Sequence, residues 1–434
     1  MEKNDKKVIN AWCSYDIANS AYNLIITATL FPVYYQETTK AAFGSDNINF
    51  LGFQIQNTVL YDYVLSFAYL IIIILSPLLS GIADYSGHRK RFMQFFTFLG
   101  AFSCISLFAF TGSNLVYGLV FAALAVIGYS GSLVYYNSFL PIIASKDRHD
   151  RLSARGFAWG YAGSVILLIL CLVMINKYEY FGFAKVLDAL RFSFLIVGFW
   201  WVGISQIAFY YLKDNPCLEK KPNHSLLKGF REINKVFSEI KHQSVIKPYL
   251  LAFFMISIGV QTIMLVATMF GKVELGIESP KLIAIIVLLQ VVAIVGSKIF
   301  AEVSARKGNK ISLLIMLIIW IIICFTAYFI KTENQFFILA AFVGLVMGGI
   351  QSQSRSTYAK LIPENSNDTA SYFSFYDITE KAAIVLGLFF FGFIEHITGS
   401  MRLSALLLDI FFVTAFVVML TVKLPHASRD KKSS

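Results

Sequence analysis

Twelve blocks of about 20 apolar residues, each followed by a short polar loop, constrain this chain more than any other feature. They run approximately over residues 11–35, 58–80, 92–112, 115–140, 156–176, 191–212, 248–270, 281–302, 311–330, 335–353, 372–394 and 402–422. About 20 residues at about 1.5 Å each cross a hydrocarbon core about 30 Å thick. Runs such as "YLIIIILSPLLS" and "LLIMLIIWIIICF" do not alternate apolar with polar residues as barrel strands do, so the blocks read as helices. A helix also satisfies its own backbone hydrogen bonds in lipid. Only 15% of residues are charged and mean hydropathy is +0.66, against about 25% charged in soluble domains. The fold class expected is all-α, a polytopic membrane protein of twelve transmembrane helices.

Lysine and arginine fix the expected orientation. With the N-terminus inside, most of the 37 Lys and Arg fall in the inner loops: Lys3, Lys6 and Lys7, "HRKR", "SKDRHDRLSAR", residues 213–247, "RKGNK", Arg355, Lys360 and the tail. The positive-inside rule then places both termini in the cytoplasm. A net charge of +11 is dispersed over these loops, which suits anionic lipid rather than nucleic acid. No cleavable signal is read in the polar first ten residues. The five cysteines form no CxxC and the six histidines do not cluster, so no metal site and no cofactor are expected.

The longest polar stretch, 213–247, reads as a linker between an N-terminal six-helix bundle (1–212) and a C-terminal bundle with a basic tail (248–434). Within it Phe230, Ile233, Phe237 and Ile240 recur at helical spacing, with Lys228, Arg231, Lys235 and Lys241 on other faces. That pattern fits a helix lying on the inner membrane surface, or a solvated helix tying the bundles. The bundles echo one another. "SGIADYSGHRKR" follows the second block and "AEVSARKGNK" the eighth, aligning Gly87 with Gly308, and Pro141 aligns with Pro363.

"SGIADYSGHRKR" resembles the loop signature between the second and third helices of the major facilitator superfamily, with Ala83, Asp84, Gly87, Arg89 and Lys90 matching and Ser80 and Tyr85 departing. "YDIANSAYN", "RLSARGFAWGYAGS", "GGIQSQSRSTYAKLIP" and "ITGSMRLSAL" resemble the branch that includes the yeast vacuolar amino-acid effluxer and its bacterial relatives, the unknown major facilitator family. That branch tends to carry an acidic residue where this chain has Ile258. The resemblance implies two bundles working by alternating access, an amino acid or small peptide as solute, and a bacterial inner membrane. It also implies that Asp84, Gly87, Arg89 and Arg91 form a cytoplasmic gate whose charge contacts break as the protein opens inward.

Polar residues inside the blocks mark candidate sites, because a charge at the bilayer centre costs about 2.5–3.5 kcal/mol on insertion scales. At about 100° per residue, Asp16, Asn19, Ser20, Asn23 and Thr27 share an arc of roughly 100° on the first helix. Asp62, Ser66, Tyr69, Ser76 and Ser80 align on the second, Ser257, Gln261 and Thr268 on the seventh, and Ser374, Asp377, Glu380 and Lys381 on the eleventh. Such stripes from both bundles suit a solute or proton path, whereas a lone Ser or Thr face is read first as interhelical hydrogen bonding. Asp377 and Lys381 stand at i, i+4 and can neutralise each other, as can Lys298 and Glu302. Asp16 lies about 7 Å inside its block, so an inner-gate role and a binding role both stay open.

Gly156, Gly160 and Gly163 form a small-residue stripe on the fifth helix, read first as helix packing. Superfamily exchangers carry a similar G-x-x-x-G-P-x-x-G, in which this chain has Tyr161 for the proline. No nucleophile with its base and no Gly-rich phosphate loop is present to suggest an enzyme or ATP coupling. The function expected is secondary active transport of a small polar solute, coupled to a proton or cation gradient, by a monomer whose partners are that solute and the lipid bilayer. An uncoupled facilitator or channel-like permease, a drug or lipid exporter of the same fold and, further off, a membrane-embedded enzyme are the alternatives.

Overall fold

Each apolar block forms a helix, because lipid leaves the backbone no other partner within a segment. A computed structural model describes residues 2–214, 226–364 and 366–424. The first helix runs over 6–43 in three parts, α-helical over Lys6–Ala21 and Phe31–Phe43 but π-helical over Tyr22–Leu30. Asp5 caps its start by accepting from the Lys7 N–H at 2.8 Å. In the π segment Thr29 Oγ1 donates to the Leu24 carbonyl at 2.7 Å.

The second to sixth helices are Asn57–Ser86, Arg89–Leu107, Leu115–Ser138, His149–Asn176 and Val186–Tyr211. The linker helix Leu226–His242 follows. The seventh to eleventh are Ile246–Leu275, Ser279–Lys307, Asn309–Phe329, Glu333–Leu361 and Thr369–Thr398. The twelfth comes in two parts, Met401–Leu407 and Asp409–Thr421. Among the described residues, ten of these passages are long and apolar enough to cross a membrane. The first is interrupted by its π segment, and the third begins with the charged "RKR". The basic tail beyond residue 424 and linker residues 215–225 lie outside the described residues, as do the side chains of Lys228, Phe230 and Arg231.

One element was absent from the sequence reading. Asn47–Phe50 and Phe53–Gln56 pair as an antiparallel hairpin between the first and second helices, with Ile48 opposite Ile55. Its two-residue turn, Leu51 and Gly52, takes positive φ at both positions (53° and 87°), the geometry that matches strand twist. A Leu-Gly pair carries too little turn signal to have been seen.

The chain forms two compact units. One contains Asp5–Phe139 and Trp159–Ile233; the other contains Leu140–Ala158 and the described residues from Asn234 onward. The division therefore falls inside the fifth helix rather than only in the linker, so Gly156 belongs to the second unit and Gly160 and Gly163 to the first. In the first unit Gly100 and Gly128 bring the third and fourth helices together, since a Cβ on Gly128 would overlap the Gly100 backbone. In the second, Gly296, Gly344 and Gly348 do the same for the eighth and tenth helices, where an added Cβ would overlap or crowd the facing backbone.

Candidate functional site

The eleventh helix is α-helical throughout, so the phase read from its sequence holds, and Asp377, Glu380 and Lys381 meet. Lys381 Nζ lies 3.3 Å from Asp377 Oδ1 and 3.2 Å from Glu380 Oε2. From the seventh helix, Gln261 Nε2 donates to Glu380 Oε1 at 2.8 Å. Asp377 and Lys381 are both only 4% exposed, so two carboxylates share one ammonium in a setting of low dielectric. Asp377 Oδ2 is buried and has no hydrogen-bond partner among the described residues. Beside it Tyr376 stacks on Phe253, ring centroids 4.1 Å apart. Ile258 is fully buried, and a Cβ on Gly387 of the eleventh helix would stand 2.9 Å from its carbonyl oxygen. That position serves helix packing here, and Gln261, one turn on, supplies the polar contact.

On the first helix, Asp16 Oδ2 accepts from the Tyr136 hydroxyl at 2.6 Å. Trp12 stacks on Tyr136 at 4.5 Å and donates from Nε1 to the Tyr136 carbonyl. Asn19 is buried, its Oδ1 accepts from Ser20 Oγ at 3.3 Å, and its Nδ2 has no partner among the described residues. Farther along the helix Asn23 is exposed. Asn23 is the second residue of the π segment. Asp62 is also exposed, and no described contact joins its side chain to Asp16 or Asn19.

Gly160 and Gly163 lie against this part of the first helix: an added Cβ would stand 2.6 Å from Ser20 Oγ at Gly160, and 2.5 Å from Ile17 Cγ2 at Gly163. Gly160→Val is expected to lower the thermal midpoint of the purified protein, with an overpacking cost of about 1–3 kcal/mol. An unchanged midpoint would show that the helices are not closely packed there.

In the loop after the second helix, Arg89 Nε lies 2.7 Å from Asp84 Oδ1, with the Asp84 side chain fully buried. Gly87 ends the helix at φ 71°, a conformation that favours glycine. The Lys90 N–H donates to Asp214 at the end of the sixth helix, 2.7 Å away. Burial pushes the Asp214 carboxyl above its ordinary range, against the opposing Lys90 hydrogen bond and nearby basic charges. Arg91 is exposed. The second unit repeats the device: Gly308 takes φ 88°, and Lys310 Nζ donates to the Leu420 and Val422 carbonyls at the end of the twelfth helix, at 2.6 and 2.9 Å. Glu302 pairs with Arg306 at 2.8 Å and with Arg151 at 3.1 Å rather than with the expected Lys298, which is exposed.

A cluster around Asp150 was missed. Its Oδ2 accepts from Lys360 Nζ at 2.6 Å and Ser304 Oγ at 2.9 Å, and its Oδ1 from Ser356 Oγ at 2.7 Å and Asn309 Nδ2 at 2.8 Å. Next to it, buried Arg355 donates to the Ser153 hydroxyl and carbonyl, both at 2.9 Å, and lies over the Phe157 ring at 4.2 Å. Three helices distant in sequence, the eighth, ninth and tenth, thus converge on the start of the fifth. Read as sequence, Asp150 is one acid in a charged loop, with nothing to mark it.

Comparison with known proteins gives these sites their setting. Residues 4–432 match the family model described as vacuole effluxer Atg22 like. The chain is 32% identical to the uncharacterized MFS-type transporter YxiO of Bacillus subtilis, covering 96% of this chain and 95% of that protein. It is 25% identical to autophagy-related protein 22 of Saccharomyces cerevisiae (strain YJM789), over 91% and 88% respectively. Among solved structures, the major facilitator superfamily transporter FucP in its outward conformation superposes with a TM-score of 0.72 at 14% identity, over 96% of this chain and 99% of that one. The human organic anion transporter MFSD10 gives the same TM-score at 10% identity, over 96% and 100%.

Proposed function

We propose that this chain, which belongs to the vacuole effluxer Atg22-like family of the major facilitator superfamily, is a secondary active transporter of a small zwitterionic solute, an amino acid or small peptide, coupled to a proton or cation gradient. The reading rests on Asp377 Oδ2, a buried carboxylate oxygen without a donor among the described residues. Buried polar atoms are rarely left unpartnered, because desolvation then goes uncompensated. A proton or a solute ammonium supplies the missing donor, and Lys381 can take the solute carboxylate when it leaves its own acids. Asp16 and Asn19 are the first unit's own polar pair, and Asn19 Nδ2 has no partner among the described residues.

The protein is read as multi-pass in a bacterial inner membrane, both termini cytoplasmic, acting as a monomer by alternating access. We give a latch role to the Asp84–Arg89 pair within the first unit and to the Asp150 cluster within the second. Asp84→Asn is expected to leave solute binding intact but to slow turnover, and normal turnover would remove the latch role from this pair.

The reading is tested with purified protein in liposomes and a mixture of labelled L-amino acids. Saturable uptake whose rate changes with an imposed pH gradient is expected. Conductance that does not saturate would make the protein a channel, and saturable flux indifferent to every ion gradient would make it a facilitator.

A further inference from the structure

The linker helix, Leu226–His242, is fastened to the start of the eleventh helix. Lys235 Nζ lies 2.6 Å from Asp368 Oδ2, on the residue just before Thr369. Glu239 Oε2 accepts from the Tyr372 hydroxyl at 2.7 Å, and Gln243 Nε2 donates to the same hydroxyl at 3.4 Å. Val236 and Ile240 are buried on this side. Tyr372 is also held by its carbonyl, which accepts from Tyr358 at 2.7 Å. Four residues on, Tyr376 stacks on Phe253, and Asp377 and Lys381 follow within about two turns. The linker helix is therefore tied to the first turn of the helix that carries the polar cluster.

The other side of the linker helix faces outward. Phe237, expected to share the apolar face with Ile240, is instead 56% exposed, and its ring lies 6.0 Å from that of Phe375. Phe375, Leu386, Phe389 and Phe393 fall within an arc of about 60° on the eleventh helix, and the last three are exposed. Exposed apolar stripes of this kind on a spanning helix are covered by acyl chains. Phe237 extends that stripe to its end. Lys241, one turn on from Phe237, is exposed on the same face of the linker helix. Lys247, exposed at the start of the seventh helix, stands one turn before exposed Leu251. Neither lysine has an ion-pair partner among the described residues, whereas Lys235 is neutralised by Asp368. Two uncompensated ammonium groups thus stand where apolar side chains give way to polar loops, the depth at which long basic side chains reach headgroups.

We propose that Phe237, Lys241 and Lys247 form a docking surface for the headgroup of an anionic phospholipid, and that its occupancy holds the linker helix on Asp368 and Tyr372 and so sets the turnover of the polar cluster. The docking stands on its own; its effect on turnover rests on the transport reading above.

The test compares full-length protein in phosphatidylcholine bilayers with and without phosphatidylglycerol. Hydrogen exchange of the amides in 226–242 is expected to slow several-fold with phosphatidylglycerol, and the K241Q/K247Q double variant to lose the difference. Amino-acid flux is expected to rise several-fold with the anionic lipid, and Lys235→Gln to keep the exchange difference while losing the gain in flux. Equal exchange in the two bilayers, or a difference that survives in K241Q/K247Q, overturns the docking. Slowing reproduced by soluble glycerophosphate overturns the assignment to a bilayer lipid. Absence of flux in every bilayer defeats the transport reading, and the exchange comparison still decides the docking.

Discussion

Lys381→Met is expected to abolish solute flux and to lower the thermal midpoint of the purified protein. Lys381 is the one cation within 4 Å of both Asp377 and Glu380 in the described residues, and removing one partner of a buried ion pair costs about 3–5 kcal/mol, because the remaining charge is left without compensation. The double variant D377N/K381M separates the two losses. It retains no unpaired charge at Asp377, and Glu380 keeps its bond from Gln261, so stability should largely return. Flux should not, because the site then lacks both the acid and the ammonium. Recovery of flux together with stability would make the pair a structural tie and nothing more. The comparison is read by thermal unfolding and by liposome uptake on the same preparations.

Asp150→Ala should be the other severe substitution. Four donors converge on this carboxylate, and the Asp150 and Lys360 side chains are 4% and 20% exposed. The alanine variant leaves Lys360 without its counter-charge and the Ser304 hydroxyl without its acceptor, while Ser356 and Asn309 keep only their longer bonds to Gln353, again at a cost of about 3–5 kcal/mol. Lys360→Met in the same chain should recover part of that stability by removing the unpaired charge. Beyond stability, the start of the fifth helix loses its hold on the eighth and tenth helices. A cysteine introduced at the exposed position Arg155 should then react faster with a membrane-impermeant maleimide. Unchanged reactivity and midpoint would show that the cluster carries no load.

The twelve helices were legible because bilayer thickness fixes block length and leaves little freedom in how a block satisfies its backbone. The Asp377, Glu380 and Lys381 cluster was legible for a related reason, as a regular α-helix converts spacing directly into a shared face. The first helix departs from regular α-helical geometry beyond Ala21. Its π segment over Tyr22–Leu30 has no mark in the sequence; Asp16 and Asn19 before it are buried and Asn23 within it is exposed. Glu302 shows a different limit. Spacing offered Lys298 four residues before it, while Arg306 four residues after and Arg151 from another helix took the pairing. Asp150 was invisible because its partners lie more than 150 residues away in sequence and its own loop reads as a topology signal. The linker helix was seen as amphipathic, but only its contacts show which face is buried.

The most direct test of the central claim is gradient-driven accumulation. Liposomes containing wild-type protein or Asp377→Asn, under an imposed pH gradient, are loaded with labelled L-amino acids and followed to steady state. Wild-type protein should drive the internal concentration above the external one, with saturable initial rates, while the variant brings solute only to equal concentrations. Equal accumulation by both proteins would contradict the role given to Asp377 in coupling.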